Sequence, residues 1–294
     1  MKNSIWVAGE VLIDLLVSRG IKEEVIGGGA ANTAIALGLL RQNVSFLGSI
    51  SEDILGEKIF DNLHSCGLDL NMVNRSKLPT ALAVVSLDEN GSASYEFKLE
   101  KTATFDFSGW LPSGAPAVLH LGTLATIVEP GASDLYKWAS GLSDLGVKIV
   151  FDPNVRSSYL RDVDMYRSYF EKWVGISDVV KASVEDLEFL GYSEGEVLDL
   201  GTELLVVTKG GDGLVGYMRD VEVAVPGISV SVVDTVGAGD TVGAVLVEGL
   251  AKYGELNVEN LEIVLSRAAV AAAITCTRAG AKPPTLAELE SYLG

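Results

Sequence analysis

Short apolar runs rich in β-branched residues alternate along the chain with longer stretches that have the pattern of helices. This alternation predicts an α/β fold with a mainly parallel sheet, because parallel strands are joined by crossovers that place helices on the faces of the sheet. Several runs are apolar on both faces, as expected for strands that are covered on both sides. The predicted strands are 5–8, 44–49, 117–121, 147–151, 179–181, 204–208 and 215–218. The predicted helices are 30–41, 52–65, 132–144, 162–173, 183–190, 241–252 and 266–275.

One region interrupts the alternation. Segments 80–87 and 92–99 have the pattern of two strands, and the residues between them include Asn90-Gly91, a dipeptide that favours a hairpin turn. A hairpin inside an alternating chain predicts a flap that stands off the main sheet. The polar segment 18–24 is expected to add a further piece to this flap.

Composition narrows the classes of function. The chain has 294 residues, of which 48% are hydrophobic, so one large α/β domain is expected and a disordered chain is excluded. Its 40 acidic and 22 basic residues give a net charge of −18, which argues against a nucleic-acid partner, because phosphate contacts need clustered Lys and Arg. The presence of only two histidines excludes a zinc site built from several of them.

The location is also constrained. Cys66 and Cys276 cannot form a framework of disulfides, and this usage fits a reducing cytosol. We expect no membrane partner, because no apolar run approaches the length of a spanning helix and the first residues lack the apolar region of a signal peptide. The predicted location is therefore the cytoplasm.

A first glycine-rich segment, Gly27-Gly28-Gly29-Ala30-Ala31-Asn32, opens an apolar helix. A small polar ligand can approach a backbone that carries no side chains, and Asn32 offers both a donor and an acceptor. The alternative is a tight turn from strand to helix.

A second segment, Asp234-Thr235-Val236-Gly237-Ala238-Gly239-Asp240, lies between the apolar run 230–233 and the helix predicted from Thr241. Unpaired N–H groups and the positive end of the helix dipole meet there, so the loop can bind an anion without a cationic side chain. Asp240 is expected to remain ionised beside that dipole. Such a carboxylate can accept a hydroxyl proton while N–H groups stabilise a transferring phosphoryl group. The alternative is that Asp240 only caps the helix.

Three further sites follow predicted strands. The segment 206–213 combines Thr208, Lys209 and several glycines, which suits nucleotide phosphates or a solvated turn equally. Arg156 follows the strand 147–151 and suits either a phosphate or sugar clamp or a surface ion pair. Asp14 follows the first strand as either a helix cap or an acceptor for ligand hydroxyls.

The sequence does not match two other glycine-rich motifs that bind nucleotides. No Gly-Lys pair satisfies the Walker A pattern, and the spacing around Gly237 is not the early Gly-x-Gly-x-x-Gly of a dinucleotide site. A nicotinamide-dependent oxidoreductase is therefore disfavoured.

Together these segments resemble the ribokinase-like (PfkB) family of carbohydrate kinases over nearly the whole chain. The segment 27–32 is similar to the family's first signature, and 234–240 is similar to its more specific second signature. The resemblance implies a single domain over residues 1–294, with a twisted, mainly parallel sheet flanked by helices and a small β lid formed by about 15–27 and 80–105.

The resemblance also implies roles for particular residues. Asp240 would be the catalytic base, beside an anion hole formed by Gly237, Ala238 and Gly239. The sugar hydroxyls would be held by Asp14, Gly28, Gly29 and Asn32, with Arg156 as a further substrate contact. The ATP side would be formed by Thr208, Lys209, Gly211 and Gly213, with Ala272 in the segment beside the adenine.

Metal handling departs from the usual pattern. Many members carry Asn-x-x-Glu to organise the water shell of Mg²⁺, whereas this chain has Ala182 at the position taken for Asn and retains Glu185. Asp234 falls where many members hold a monovalent cation. The implied cofactors are therefore ATP and Mg²⁺, with K⁺ as a further cation.

Other segments are similar to the fructokinase branch, namely 119–125, 151–156 and 276–284. Related sugar-acid kinases tend to carry an extra Arg on the lid, and Leu99 lies near that position here. The expected reaction is thus phosphorylation of fructose by ATP. The alternatives are a 2-keto-3-deoxygluconate, ribose or nucleoside kinase, or a non-catalytic sugar- or nucleotide-binding relative. The family also makes a homodimer through the lid an open expectation.

Overall fold

The computed structural model describes residues 4–18, 21–87 and 93–293. In chain order its strands and helices are β1 (Ile5–Ala8), β2 (Leu12–Ser18), β3 (Ile21–Gly27), α1 (Gly29–Leu39), β4 (Val44–Leu47), β5 (Ser49–Ser51), α2 (Ile54–Ser65), β6 (Asn74–Ser76), β7 (Leu82–Leu87), β8 (Ala93–Lys98), β9 (Val118–Gly122), α3 (Gly131–Asp144), β10 (Lys148–Asp152), α4 (Val163–Val174), β11 (Val179–Ser183), α5 (Val184–Leu190), α6 (Glu194–Asp199), β12 (Leu204–Thr208), β13 (Leu214–Met218), β14 (Val221–Val225), α7 (Ala238–Tyr253), α8 (Val258–Cys276) and α9 (Leu286–Leu293).

The main sheet has the strand order β14-β13-β12-β11-β10-β9-β1-β4. The strands from β4 to β12 in this order run parallel, and β13 and β14 add an antiparallel edge. Because the central strands are parallel, their carboxyl ends meet at one edge of the sheet. Ligand-binding sites of open α/β sheets lie at that edge.

Helices cover both faces of this sheet, as the doubly apolar strands predict. In β1, Ile5 and Val7 pack in the core with α1, α2, α7 and α8, whereas Trp6 and Ala8 pack in the core with α3, α4 and α5. Successive side chains of a strand point to opposite faces, so a single short strand contributes to two cores. None of the described helices is long and apolar enough to cross a membrane.

A second, four-stranded sheet has the order β3-β2-β7-β8. Its β7 and β8 are antiparallel, which confirms the predicted hairpin, and β2 and β3 complete the sheet. The predicted turn residues 88–91 lie outside the described residues. We call this four-stranded sheet the lid sheet, and it begins at Leu12, earlier than the expected boundary at 15.

Most predicted elements are present, and the differences have local causes. The expected strand 44–49 is divided into β4 and β5, and the run 230–233 forms no strand. Helix α8 begins at Val258 rather than 266, because Asn257 caps it through the N–H groups of Glu259 and Asn260. Strands β2, β6 and β14 and helices α6 and α9 were not predicted.

The central sheet should depend strongly on its large buried side chains. Phe46 in β4 is completely buried, whereas Ile54 at the start of α2 is 79% exposed. We expect Phe46→Ala to lower the free energy of unfolding by about 3–5 kcal/mol, because it leaves a cavity. The matched change Ile54→Ala should cost no more than about 0.5 kcal/mol. Urea unfolding of both variants measures this, and equal losses would contradict the packing described here.

Candidate active site

A cleft of about 270 Å³ opens where the carboxyl edge of the main sheet meets the lid sheet. Its polar lining combines five segments of the chain, and the lid contributes side chains from β2, β7 and β8. The lining residues are Glu10, Leu12, Asp14, Gly28, Gly29, Asn32, Ala83, Phe97, Thr123, Leu124, Asn154, Arg156, Thr235, Val236, Gly237, Gly239 and Asp240. The structure thus brings together the two glycine-rich segments that are far apart in sequence.

Asp240 lies in the first turn of α7 and is buried, with 6% of its surface exposed. Two amide side chains donate to its carboxylate: Asn32 Nδ2 to Oδ2 at 2.8 Å and Asn154 Nδ2 to Oδ1 at 3.3 Å. The helix cap is Gly237, so Asp240 does not cap the helix, which removes the alternative role left open by the sequence.

Burial raises the pKa of the Asp240 carboxyl, while Lys181, the Asn32 amide and Arg156 act to lower it. The direction is therefore set by desolvation and not by the helix dipole that the sequence suggested. A carboxylate with a raised pKa is a better proton acceptor than an ordinary surface aspartate.

The start of α7 supplies backbone donors. Gly237 adopts a left-handed conformation with φ +78°, and an added Cβ would lie 2.6 Å from Ala281 Cβ, so glycine is needed there. The first intrahelical bond runs from the Thr241 N–H to the Gly237 carbonyl at 2.9 Å. Ala238 donates to the Thr235 carbonyl at 3.2 Å, so the N–H groups of Gly239 and Asp240 are the ones that precede the helical ladder.

Asp14 and Arg156 both line the cleft, although they come from the lid and from the loop after β10. Burial raises the pKa of Asp14 to about 6, and the nearby Arg156 guanidinium opposes this shift. Asp14 lies within strand β2, so it is not a helix cap. Its carboxyl group and the Arg156 guanidinium give the cleft an acceptor and a donor facing the same space.

Glu10 is a buried residue of the cleft that the sequence analysis missed. Its Oε1 accepts from the Gly29 N–H at 2.8 Å, and its Oε2 accepts from the Ala125 N–H at 3.0 Å. It therefore ties the start of α1 to the loop after β9. Burial raises the pKa of Glu10 to about 7, against the lowering effect of these hydrogen bonds.

The residues expected on the ATP side lie outside the lining of this cleft. Thr208 ends β12, and the following loop places Lys209 Nζ 3.1 Å from the Tyr217 hydroxyl. An added Cβ on Gly213 would lie 2.2 Å from the Val225 carbonyl oxygen, whereas one on Gly211 would meet nothing within 4 Å. Ala272 is half-buried on α8.

The two residues expected near metal ions have different surroundings. Glu185 lies on the exposed side of α5, whereas its neighbour Asp186 is buried and accepts from the Val155 N–H at 2.7 Å and the Ser183 N–H at 2.8 Å. Asp234 accepts from the Gly280 N–H at 2.8 Å and the Val236 N–H at 3.1 Å, and these bonds lower its pKa. The carboxyl group that faces inward from α5 is therefore that of Asp186.

The lid side chain that reaches the cleft is Phe97, not Leu99. Leu99 is 4% exposed and lines a separate cavity together with Phe105 and Tyr169. Strand alternation would place positions 97 and 99 on one face of the sheet, but β8 ends at Lys98. Leu99 therefore lies beyond the strand, and only Phe97 reaches the cleft.

Several contributing residues carried no clear signal in the sequence. Asn154 was part of a noted segment, but its bond to Asp240 depends on a residue 86 positions away. Glu10 lies two residues after the end of β1, and a carboxylate after a buried parallel strand was the one signal that pointed to it. Lys181 and Asp152 lie in strands that otherwise look like core.

The chain is similar to known proteins over most of its length. A family model described as pfkB family carbohydrate kinase matches residues 20–288. The fructokinase of Rhizobium leguminosarum bv. trifolii is 34% identical over 262 residues, covering 84% of this chain and 79% of that protein.

Solved structures agree over the full length. The fructokinase of Xylella fastidiosa with bound ATP matches with a TM-score of 0.88 at 26% identity, covering 100% of this chain and 98% of that chain. A double-mutant fructokinase of Vibrio cholerae O395, with fructose, ADP and a potassium ion bound, also has a TM-score of 0.88, at 25% identity, covering 100% of this chain and 99% of that chain.

The fold and these relatives define a ribokinase-like phosphotransferase that acts on an alcohol group. The chain belongs to the pfkB family of carbohydrate kinases.

The raised pKa of Glu10 predicts a pH-dependent stability. Between the ordinary value of 4.5 and about 7, the unfolded chain loses this proton while the folded protein keeps it, so the free energy of unfolding falls as pH rises. Since Gln does not titrate, the stability of the wild type relative to Glu10→Gln should decline over that range by on the order of 3 kcal/mol. Urea unfolding of both proteins at several pH values measures this difference. Parallel pH profiles would contradict it.

Proposed function

We propose that the protein transfers the γ-phosphoryl group of ATP to fructose and forms fructose 6-phosphate. The observation that carries the proposal is the Asp240 carboxylate, held by Asn32 and Asn154 in a polar cleft beside the free N–H groups of α7. The fructose, ADP and ATP bound to the related fructokinases support the choice of substrates.

In the proposed reaction Asp240 is the general base. It accepts the proton of the sugar hydroxyl as that oxygen forms a bond to the γ-phosphorus, and the bond from phosphorus to the leaving ADP oxygen breaks. The N–H groups of Gly239 and Asp240, with the turn at Gly237 and Ala238, stabilise the charge on the transferring group. After the transfer the proton stays on Asp240 until it is released to solvent.

We assign the sugar side of the cleft to Asp14, Gly28, Gly29, Asn32 and Arg156. Asp14 can accept from a sugar hydroxyl and Arg156 can donate to one, while the glycine backbone leaves room for close approach. Asn32 donates one Nδ2 hydrogen to Asp240, so its Oδ1 and its second Nδ2 hydrogen remain for the sugar. The lid sheet covers this space and would limit the access of water during transfer.

We assign the nucleotide side to Thr208, Lys209, Gly211 and Gly213, with Ala272 beside the base. Thr208 and Lys209 lie at the carboxyl end of a central strand, the edge at which such sheets bind ligands.

The residues also fit a magnesium ion that is held mainly by phosphates and water. Among the described residues, no three His, Cys, Asp or Glu side chains are grouped as a metal cage. When bound, the ion would neutralise charge on the ATP phosphates. Glu185 would contact the magnesium ion through water. Asp234, whose backbone donors lower its pKa and favour the ionised form, would lie beside a potassium ion.

We propose one domain over residues 1–294 and a cytoplasmic location, where the free thiols of Cys66 and Cys276 remain reduced. We also propose a homodimer through the lid sheet, because β3 and β8 form its edges and edge strands are sites of strand pairing. Sedimentation of the protein with and without Lys98→Pro in β8 would test the dimer.

The reaction is tested by ADP release over fructose, ribose, 2-keto-3-deoxygluconate and nucleosides. We expect fructose to give the highest kcat/KM, and Asp240→Ala to lower kcat by at least about 10²–10⁴-fold while the folded protein still binds ATP. Higher kcat/KM for a sugar acid would show that Arg156 recognises a carboxylate. Saturable fructose binding without ADP formation would identify a non-catalytic sugar-binding protein.

The anion hole is tested by Gly239→Val. A side chain at this position would meet Lys181 Nζ, 3.0 Å from the added Cβ, and would also occupy the space next to the α7 donors. We expect a loss of about 10²-fold or more in kcat, the size of effect seen when an oxyanion donor is removed. The matched control Gly141→Val lies on the exposed face of α3, where an added Cβ meets nothing within 4 Å. Unchanged turnover in Gly239→Val would exclude the proposed anion hole.

A further inference from the structure

A layer of buried polar side chains lies beneath Asp240. His120 in β9, Asp152 in β10 and Lys181 in β11 are 1%, 1% and 3% exposed. Val150 of β10 lies opposite both His120 of β9 and Val179 of β11 in these parallel strands. Asp152 lies two residues after Val150, and Lys181 lies two residues after Val179. Since side chains alternate along a strand, all three point to the face that α7 covers.

Lys181 and Asp152 form an ion pair, with Nζ 2.8 Å from Oδ2. Their side chains are 4% and 2% exposed. Removing two charges from water costs several kcal/mol for each ion, so a buried pair contributes little net stability compared with apolar side chains of the same volume. The pair therefore calls for an explanation other than stability of the fold.

Other polar atoms of this layer lack hydrogen-bond partners. Asp152 Oδ1 and both ring nitrogens of His120 have no hydrogen-bond partner among the described residues. Burial lowers the pKa of His120 to about 3, and the Lys181 ammonium acts in the same direction. His120 is therefore neutral, and Lys181 carries the positive charge of the layer.

The ammonium lies directly behind the backbone of the anion hole. A Cβ placed on Gly239 would lie 3.0 Å from Lys181 Nζ. Burial acts to lower the pKa of Lys181, but the carboxylates of Asp152, Asp186 and Asp240 raise it. One ammonium thus interacts with three acidic side chains that converge on the site.

We propose that Lys181 is a positioning residue for phosphoryl transfer: its ammonium, fixed by Asp152, compensates the charge of the Asp240 carboxylate and keeps Asp240 ionised beside the anion hole. This inference rests on the proposed function of Asp240 as the general base. Lys181 acts through the Asp240 carboxylate and the Gly239 backbone, without contact with the reacting atoms.

Other charged groups around Asp240 also influence its pKa. Arg156, from the loop after β10, is the second cation that lowers the pKa of Asp240. Asp152 is the neighbouring carboxyl, and its interaction with Asp240 is repulsive. Helix α1 brings Asn32 and carries no charged residue, and α8 meets this part of α7 through the Thr275 hydroxyl, 3.0 Å from Thr241 Oγ1.

The arrangement predicts opposite effects for the two members of the ion pair. Removal of the Lys181 charge leaves Asp240 with less compensation, so its pKa rises. Removal of the Asp152 charge takes away a repulsive neighbour and frees the ammonium for Asp240, so that pKa falls. A merely structural role for the pair would not shift the pKa of Asp240 in opposite directions in the two variants.

The test compares Lys181→Met, Asp152→Asn and the control Lys148→Met. Lys148 is also a lysine of the main sheet, paired with Asp178 of the loop before β11, but it lies at the other end of β10. We expect the acidic limb of the kcat/KM profile for fructose to move upward by about one pH unit or more in Lys181→Met. It should move downward in Asp152→Asn and stay in place in Lys148→Met.

A second measurement does not require turnover. The titration of the Asp240 carboxyl carbon is followed by NMR in the ligand-free protein, and its signal is assigned by its loss in Asp240→Asn. Shifts of opposite sign in Lys181→Met and Asp152→Asn support the proposal even if the wild type fails to phosphorylate fructose, a result that would overturn only the proposed function. Unmoved or parallel titrations overturn the proposal even in an active enzyme.

Folding of each variant is checked by circular dichroism. If Lys181→Met does not fold, Asp152→Asn decides, because it keeps the volume of the side chain and changes only its charge. An Asp240 titration at or above the wild-type value in Asp152→Asn would then overturn the proposal.

Discussion

The site depends on how the Asp240 carboxylate is held. Asn32, 208 positions away in sequence, and Asn154, 86 positions away, donate to its two oxygens. These bonds join the start of α1, the loop after β10 and the start of α7 at one point. A carboxylate fixed in this way needs little reorganisation to accept a proton, because its donors are already in place.

Local donors in the cleft explain how an acidic protein can hold an anionic ligand. A net charge of −18 argues against a long track of phosphates, but a single triphosphate can be held by backbone N–H groups and a few cations. In this cleft the positive groups are few and local. Arg156 lines the open space, and Lys181 lies buried behind Gly239. The surface charge and the charge of the site are therefore set by different residues.

Burial changes the chemistry of several carboxyl groups near the cleft. The pKa values of Glu10 and Asp14 are raised to about 7 and about 6, and that of Asp240 is raised as well. Asp234, which is only partly buried and accepts from two backbone N–H groups, shifts in the opposite direction. The direction in each case follows from the competition between lost hydration and local donors, which a linear motif does not encode.

Local patterns in the sequence were enough to place most central strands and helices, since doubly apolar runs and glycine-rich turns have few other uses. The lid hairpin, the two glycine-rich segments and Asp240 itself were predicted in the same way. Strand β2 was missed because Asp14 interrupts its apolar pattern, and that carboxyl group was interpreted as a helix cap or an acceptor for ligand hydroxyls.

Sequence alone determined the α/β class, the family resemblance and the loop that carries Asp240, because each depends on residues close together in the chain. Only the tertiary structure decided that Asp186 and not Glu185 faces inward, that Phe97 and not Leu99 covers the cleft, and that Lys181 lies behind Gly239. These facts depend on which face of a strand or helix is buried and on partners from distant segments. Such relations arise only when the elements pack together.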